Sequence, residues 1–425
     1  MCAICVKKRS GSAAILLTVA FAGMLVLVVC LFAAAKNVAG VSYADAAFQT
    51  AGRSVLSEYD TTLLREYGLF AFKGDERQIE RDIAFYANAS LRKDKSLYFP
   101  FAPSGALTRI FDIEIDAIEA NLKEFSLMDV DIFEEQLRGA ALSQTAKKLT
   151  IDRDKGEKDY SDPFSGHPDR KLRNEGVIAS LPSADVVWSF PNVSALTADG
   201  LSGIADSALA DAVTSQYILA AFGHANDGVS EEESFFDAEV EYILSGKKSD
   251  RENYNSVKAK LTLIRFAANN VSLFRDPAKV AQGHALAAPA AAAAGIGEMV
   301  AYLGIMESWA GAETKNDIGL FEEGKKVAFL KSPAQWALTN PQKAINGLFF
   351  DVVTPAVQTG QTYEDYLRVM LFLMDRETKM LRVMDLIQMD MKVNYNEEFL
   401  VREYYGGYRF QAEALGETFE YTERY

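Results

Sequence analysis

The feature that most constrains the fold is a run of 23 residues, 13–35, that contains no charged side chain. As a helix this run would be about 34 Å long, which is enough to cross a hydrocarbon core of about 30 Å. The apolar core of a cleaved signal peptide usually has only about 7–15 residues. Residues 33–35 also form an A-x-A-like cleavage site, so a signal peptide remains the alternative. We predict a retained transmembrane helix.

The charges that flank this run predict its orientation. Lys7, Lys8 and Arg9 precede it, and the positive-inside rule then puts the N-terminus in the cytoplasm. Residues 1–12 become a cytoplasmic tail and residues 13–35 the transmembrane helix. The predicted location is the cell membrane, with a single pass, with bilayer lipid as a direct partner and with the bulk of the chain outside the cytoplasm.

Beyond the membrane run, apolar and small residues repeat with heptad spacing. Val41, Phe48 and Val55 are seven residues apart, and Ala44 and Ala51 lie between them. Such a seam is typical of a helix that packs along another surface. The sequence leaves open whether that surface belongs to the chain's own domain or to a partner. We treat these five residues as an interaction seam.

The rest of the chain predicts an α+β extracytoplasmic domain on a long N-terminal helix. Residues 36–151 have helical and strand-like patterns, and residues 176–425 are mainly helical with strands at the C-terminal end. Between them, residues 152–175 are polar and contain proline and glycine, which indicates a long loop or an internal boundary.

Two further patterns predict particular elements. Gly406 and Gly407 separate two strand-like runs, which predicts an antiparallel hairpin with a two-residue turn. Residues 286–306 are rich in alanine and contain one charge, Glu298. Because Pro289 and the weakly apolar alanines argue against a second membrane span, we predict a buried helix there.

A period-two pattern predicts a half-buried strand over residues 111–117. Its polar positions, Asp112, Glu114 and Asp116, would share the face that points to solvent. A row of carboxylates like this is usually hydrated. Calcium binding is the alternative that the sequence leaves open.

Charge and cysteine content exclude several classes of function. The formal net charge is −15, and residues 7–9 contribute +3, so residues 36–425 carry −18. Such an acidic domain is repelled by phosphate backbones, and we predict no nucleic-acid partner. The three cysteines, Cys2, Cys5 and Cys30, all precede the outer domain, which therefore has no disulfide. The Cys2–Cys5 pair lacks further ligands nearby, and we predict no metal site and no cofactor.

The sequence contains no recognised catalytic motif, and we predict that the chain is not an enzyme. His167, His224 and His284 are far apart in the sequence and belong to no zinc-hydrolase motif. An envelope hydrolase that acts on glycan through two carboxylates stays as an alternative. Its candidate residues are Glu239, Glu241, Glu307 and Glu313. A second alternative is a surface adhesin or ligand-binding module that uses the tyrosine-rich C-terminal hairpin.

Two sets of motifs resemble known families. Residues 8–12, 45–47 and 53–56, together with the membrane run, are similar to TadE/TadG-like proteins of Tad (Flp) pilus loci. Four further stretches resemble an uncharacterised domain family of Gram-positive bacteria, namely residues 239–248, 309–317, 324–336 with Lys331, and 363–388. The resemblance implies a membrane-anchored component of pilus assembly, with subunits of the pilus or secretion apparatus as partners.

One departure from the pilin pattern affects that expectation. Pilin-type signals have glutamate five residues after the cleavage glycine, but Leu16 occupies this position after Gly11. We therefore do not expect the chain to be processed and incorporated as an ordinary pilin.

Overall fold

The computed structural model describes residues 11–91, 113–151, 169–184, 208–227, 234–342 and 351–425. The fold is α+β, as predicted, with long helices and two small antiparallel sheets. The first elements are α1 (Gly11–Leu56), α2 (Thr61–Tyr67), β1 (Phe72–Lys73), α3 (Glu76–Ser90), β2 (Ile115–Asn121) and α4 (Val130–Ile151). Then follow α5 (Glu175–Ser180), α6 (Ala208–Ala221), α7 (Glu239–Ser245), α8 (Asp250–Phe274), α9 (Pro277–Ala294), α10 (Glu298–Glu322), α11 (Tyr363–Leu373), α12 (Arg376–Asn394), β3 (Tyr404–Tyr405), β4 (Gly407–Ala414) and β5 (Glu417–Arg424).

The chain forms two compact units that are not contiguous in sequence. Unit 1 comprises Met1–Asp60, Ala71–Ser126 and Glu403–Tyr425, and unit 2 comprises Thr61–Phe70 and Leu127–Arg402. The division does not fall in the polar stretch at residues 152–175. Most of that stretch, including His167, lies outside the described residues, as does Asp112.

Unit 1 is built around the outer half of α1. This helix has 46 residues and would be about 69 Å long. Residues 15–39 are exposed, whereas Phe48 and Val55 are buried in an apolar core that α3 and the sheet complete. The helix lies close to the sheet at Gly52, where a Cβ atom would be 2.8 Å from the Phe410 ring. A helix that is apolar all round near its start and apolar on one side afterwards fits these two environments.

The larger sheet of unit 1 has the strand order β2-β4-β5, and all its pairings are antiparallel. Its buried face comes from alternate residues of the central strand, namely Tyr408, Phe410, Ala412 and Ala414. The Tyr408 hydroxyl donates a hydrogen bond to the Gly52 carbonyl of α1 at 2.7 Å. This bond lets a phenol remain buried in an otherwise apolar core.

Two strand predictions need correction in their positions. The strand predicted at residues 111–117 runs from Ile115 to Asn121 and contains a bulge between Ile115 and Ala117, which shifts the alternation by one residue. The C-terminal hairpin is confirmed, but its turn is at Leu415 and Gly416, which both have positive φ. Gly407 instead lies within the sheet, where the absence of a Cβ lets the carbonyl of Glu423 approach.

Unit 2 is helical. Its helix termini follow local sequence signals: Ser249 caps α8, and Thr362 forms a capping box with Asp365 at the start of α11. The helix α12 is its most enclosed element, because every residue from Thr378 to Met391 is buried. Such a helix cannot have a solvent-facing polar side, so its charged residues must find partners inside the protein.

The alanine-rich region differs from the predicted buried helix at residues 286–306. The chain bends by 118° between α9 and α10, at Gly295–Gly297. Gly295 has φ +67°, a left-handed conformation that ends α9. Residues 292–300 at this bend are exposed.

Candidate functional site

The long N-terminal helix α1 forms the first candidate site. The helical segment of residues 15–56 is long and apolar enough to cross a membrane. Among the helices that the structure describes, no other single helix meets both conditions. Of the predicted seam residues, Ala44, Phe48, Ala51 and Val55 are buried in the core of unit 1, and Val41 is half-buried. The Phe48 ring lies 5.4 Å from that of Phe419. Of the two alternatives for the seam, the described contacts are with the chain's own domain.

The opposite side of the outer α1 remains open to solvent. The exposed positions there are Val38, Ser42, Asp45, Ala46, Gln49 and Arg53. They follow one another at spacings of one, three or four residues, so they lie along one face of the helix. This face continues the exposed apolar part of α1.

The second candidate site is a stripe of polar side chains on the buried helix α12. It consists of Lys379, Arg382, Asp385, Gln388 and Asp390. Successive members are two or three residues apart, and they are not among the site residues predicted from the sequence. The signal that could have found them is the repeated interruption of an apolar helix by charges.

Each stripe residue bonds to another part of unit 2. Lys379 binds Asp211 on α6 at 3.1 Å, and Arg382 donates to the carbonyl of Ile243 on α7 at 2.8 Å. Gln388 donates to the carbonyl of Ser180 at 3.0 Å. The stripe therefore joins α12 to three other helices by directional bonds, which apolar packing alone does not supply.

The carboxylate of Asp385 is held by three donors. Its oxygens accept hydrogen bonds from the Ser183 amide at 3.0 Å, from the Ser183 hydroxyl, and from the Tyr242 hydroxyl at 2.8 Å. Burial raises the pKa of Asp385 to about 6, although these donors favour the ionised form.

Two more carboxyl groups meet directly. Asp390 accepts from the Phe235 amide at 2.6 Å and is hydrogen-bonded to the side chain of Glu239, whose Oε2 accepts from the Gly223 amide at 2.7 Å. A hydrogen bond between two carboxyl groups requires a proton on one of them. Burial raises the pKa of Asp390 to about 6, and burial together with Asp390 raises the pKa of Glu239 well above its ordinary value.

A separate network of buried charges joins α8, α10 and the loop that follows α10. Asp317 accepts from Arg265 Nη2 at 2.9 Å and from Asn269 Nδ2 at 2.8 Å, and it also binds Lys331. Lys331 bonds to Glu313 as well. The side chains of Arg265, Asp317 and Glu313 are fully buried, so two cations and two anions neutralise one another without solvent.

The remaining bonds of this network fix the loop after α10. The carboxylate of Glu313 accepts from the amides of Ala337 and Leu338 at 2.9 and 2.8 Å. Arg265 Nη1 donates to the carbonyl of Phe329 at 2.9 Å and to the Tyr366 hydroxyl at 2.7 Å. These contacts hold the backbone of the loop in place and satisfy the buried charged groups, which is a structural role.

The four glutamates considered for glycan hydrolysis do not share a cleft. Glu239 and Glu241 are buried around α7, Glu313 is buried in the α8–α10 network, and Glu307 lies exposed on α10. Glu241 accepts from the Tyr363 hydroxyl at 2.8 Å and from the Ala225 amide at 3.1 Å. A retaining or inverting hydrolase needs two carboxyl groups that face the substrate. Three of these four are enclosed by protein instead.

A pocket of about 570 Å³ lies between α8 and α10. Phe266, Ile318 and Val352 supply much of its apolar wall. Among its described lining residues, Glu322 carries the one carboxylate, and this group already accepts from the Tyr254 hydroxyl at 3.0 Å and from Lys258. The pocket therefore offers apolar volume but no pair of acids for glycan hydrolysis.

Metal-binding geometry is missing from the part of the chain that the structure describes. There, no group of three or more histidine, cysteine, aspartate or glutamate side chains could hold an ion. Glu114 and Asp116, from the row considered for calcium, are exposed.

Comparison with known proteins gives one match. A family model described as "Family of unknown function (DUF5702)" matches residues 179–415, which is more than half of the chain. No curated protein and no solved structure matches significantly. The matched range contains the α12 stripe and the α8–α10 network, and α1 lies outside it.

Proposed function

This chain belongs to the DUF5702 family of unknown function, and we propose that it is a membrane-anchored, extracytoplasmic structural component of a cell-surface assembly. A pilus or secretion apparatus of the Tad type is the leading candidate. The observation that carries the proposal is the continuity of α1, a single helix whose exposed apolar part leads directly into the core of unit 1.

This continuity has a mechanical meaning. A flexible linker would let the outer domain rotate freely about its anchor. Here the helix that enters the membrane also supplies Phe48 and Val55 to the apolar core, so unit 1 cannot turn without moving the anchor. A rigid connection of this kind suits a subunit whose outer domain must keep a fixed orientation relative to neighbours in the same membrane.

The proposed orientation has the N-terminus in the cytoplasm, because Lys7, Lys8 and Arg9 precede the apolar run. The acidic charge of the remaining chain is compatible with an outer location. The structural rather than catalytic role is supported by the buried carboxyl groups of unit 2. Those described above bond to backbone amides, hydroxyls or cations that hold the fold together.

The experiment is a capture of the tagged chain from native membranes in a mild detergent, with its partners identified by mass spectrometry. We expect pilus or secretion-apparatus subunits. The Ala46→Trp variant should lose them, because Ala46 lies on the exposed face of α1 and a bulky side chain there blocks close helix packing. The matched control, Glu413→Trp, adds the same side chain at an exposed position of β4 and should retain the partners.

Two results would contradict the proposal. One is the recovery of no envelope-apparatus subunit from native membranes. The other is equal partner recovery with Ala46→Trp and Glu413→Trp, which would show that the exposed face of α1 takes no part in assembly.

A further inference from the structure

The helical hairpin formed by α9 and α10 is packed only along part of its length. Ala287 and Ala291 of α9 and Ala301 of α10 are buried. The two helices come close because Gly283 has no side chain; a Cβ atom there would be 2.7 Å from the sulfur of Met306. The His284 and Tyr302 rings stack at 4.0 Å with an angle of 7° between them. Beyond Ala291 and Ala301 the packing stops, and residues 292–300 are exposed.

The end of this hairpin is apolar. Ile296, Met299, Val300 and Leu303 are exposed by 47%, 62%, 63% and 46%, respectively, so four large apolar side chains within eight consecutive residues face solvent. Residues 280–306 contain one charge, Glu298. Single exposed apolar residues are ordinary on protein surfaces, but a group of this kind marks an interaction site.

The bilayer proposed to anchor α1 could bury the exposed apolar side chains at this end of the hairpin. The α9 and α10 helices together have the length and the composition of a bent membrane segment. We propose that the hairpin tip, residues 292–300, inserts into the interfacial layer of the bilayer in which α1 is anchored. The inference rests on the membrane-anchored part of the proposed function and adds a second membrane contact to it.

The packing of the hairpin limits the depth of insertion. From Ala291, the last buried residue of α9, to Gly295 at the bend, the helix rises about 6 Å. Amphipathic segments that lie in the membrane interface insert by about 5–10 Å, whereas a spanning helix needs about 20 apolar residues. The tip therefore reaches the interface and does not cross the membrane. Glu298, in the first turn of α10, stays among the hydrated headgroups at this depth.

The binding should be driven by apolar burial and not by charge. Residues 280–306 contain no lysine or arginine, and the chain beyond residue 35 is strongly acidic. Anionic lipid would repel such a protein, whereas zwitterionic lipid presents no net charge. We therefore expect insertion into phosphatidylcholine membranes and little effect of salt, since screening acts on electrostatic attraction only.

The experiment uses the full chain in phosphatidylcholine vesicles with single cysteines that carry a polarity-sensitive fluorophore. The natural cysteines Cys2, Cys5 and Cys30 are replaced by serine, and Met299→Cys is added. Spin-labelled lipids with the quencher near the headgroup then report depth. The matched control is Glu307→Cys, an exposed position on the same helix about 12 Å further from the tip. We expect quenching at position 299 to exceed that at position 307 by about twofold or more.

A second arm separates this inference from the membrane anchor itself. A variant that keeps only the natural Cys30 reports whether α1 is in the bilayer. Quenching at Cys30 with equal quenching at positions 299 and 307 overturns hairpin insertion and leaves the anchor in place. Absence of quenching at all three positions overturns both.

A third arm tests the apolar surface directly. Val300→Glu, added to the Met299→Cys chain, should remove the excess quenching, while the fold is retained because Val300 is mostly exposed. Unchanged quenching would overturn the proposal. So would quenching that disappears when the protein is diluted into more lipid, because that result assigns the surface to a second copy of the chain.

Discussion

The two units of this protein stabilise their interiors in different ways. The core of unit 1 is apolar, with Phe48, Tyr408 and Phe410 between a helix and a sheet. Unit 2 buries full charges instead, and its network around Asp317 and the stripe on α12 are enclosed by helices. An apolar core tolerates approximate fits, whereas buried charges stabilise only the arrangement in which each has its partner. Unit 2 should therefore be the more sensitive to single polar substitutions and to pH.

The largest expected effect comes from removing the central acid of the α8–α10 network. Asp317→Ala leaves Arg265 and Lys331 buried with only Glu313 to neutralise them. We expect the free energy of unfolding of unit 2 to fall by about 3–5 kcal/mol. Tryptophan fluorescence during denaturation of the detergent-solubilised chain measures it, because the three tryptophans, at positions 188, 309 and 336, all fall within the sequence range of unit 2.

The control for this prediction is Glu307→Ala, which removes an exposed acid from the same helix and should change the stability by less than about 0.5 kcal/mol. Similar small losses for both variants would mean that the buried network adds no more stability than a surface carboxylate, and the contrast between the two units would fail.

The next effect concerns the core of unit 1. Phe48→Ala removes a fully buried ring that packs near Phe419 and should cost about 3 kcal/mol. Hydrogen exchange of the amides in β2 and β4 measures the loss. The denaturation midpoint of unit 2, followed by tryptophan fluorescence, should not change. Gln49→Ala, at the adjacent exposed position of α1, is the control. A tryptophan transition that moves as much as the exchange would show that the two units unfold as one.

The smallest effect is a dependence of unit 2 on pH. The folded pKa values of Asp385 and Asp390 are about 6, above the value of about 3.9 for an unfolded aspartate. A raised folded pKa means that the folded state binds the proton more tightly. The stabilisation that the folded state gains from the protonated forms of these two groups is thus complete below about pH 3.9 and is lost as the pH rises through about 6.

The free energy of unfolding of unit 2 should accordingly rise by about 1–3 kcal/mol as the pH is lowered from 8 to 5. Its denaturation midpoint should rise with it. Asp385→Asn removes one of the titrating groups and should flatten this dependence. A midpoint that falls on acidification over this range would contradict the prediction, as would an unchanged slope in the variant.

Local sequence signals predicted much of the secondary structure. The uncharged run and the heptad seam predicted α1, and period-two alternation predicted β2 to within about four residues. These features depend on neighbours along the chain, so composition and spacing are enough.

Long-range pairings could not be predicted in the same way. β2 pairs with β4, so Ile115 lies opposite Ala414, almost three hundred residues later, and no local pattern encodes that choice. The buried charges were missed for a related reason. Asp385 and Asp390 would be ordinary surface residues on a half-exposed helix, and only the complete enclosure of α12 makes them interior groups.

The discontinuity of unit 1 has a consequence for biosynthesis. Its central strand, β4, and its edge strand, β5, come from residues 403–425, whereas the helix against which they pack is made first. During translation, the apolar side of the outer α1 stays uncovered until all of unit 2 has been synthesised. A product that stops before residue 403 retains α1 but never completes this core. Such a product exposes apolar surface that proteases recognise, so completion of unit 1 depends on synthesis of residues 403–425.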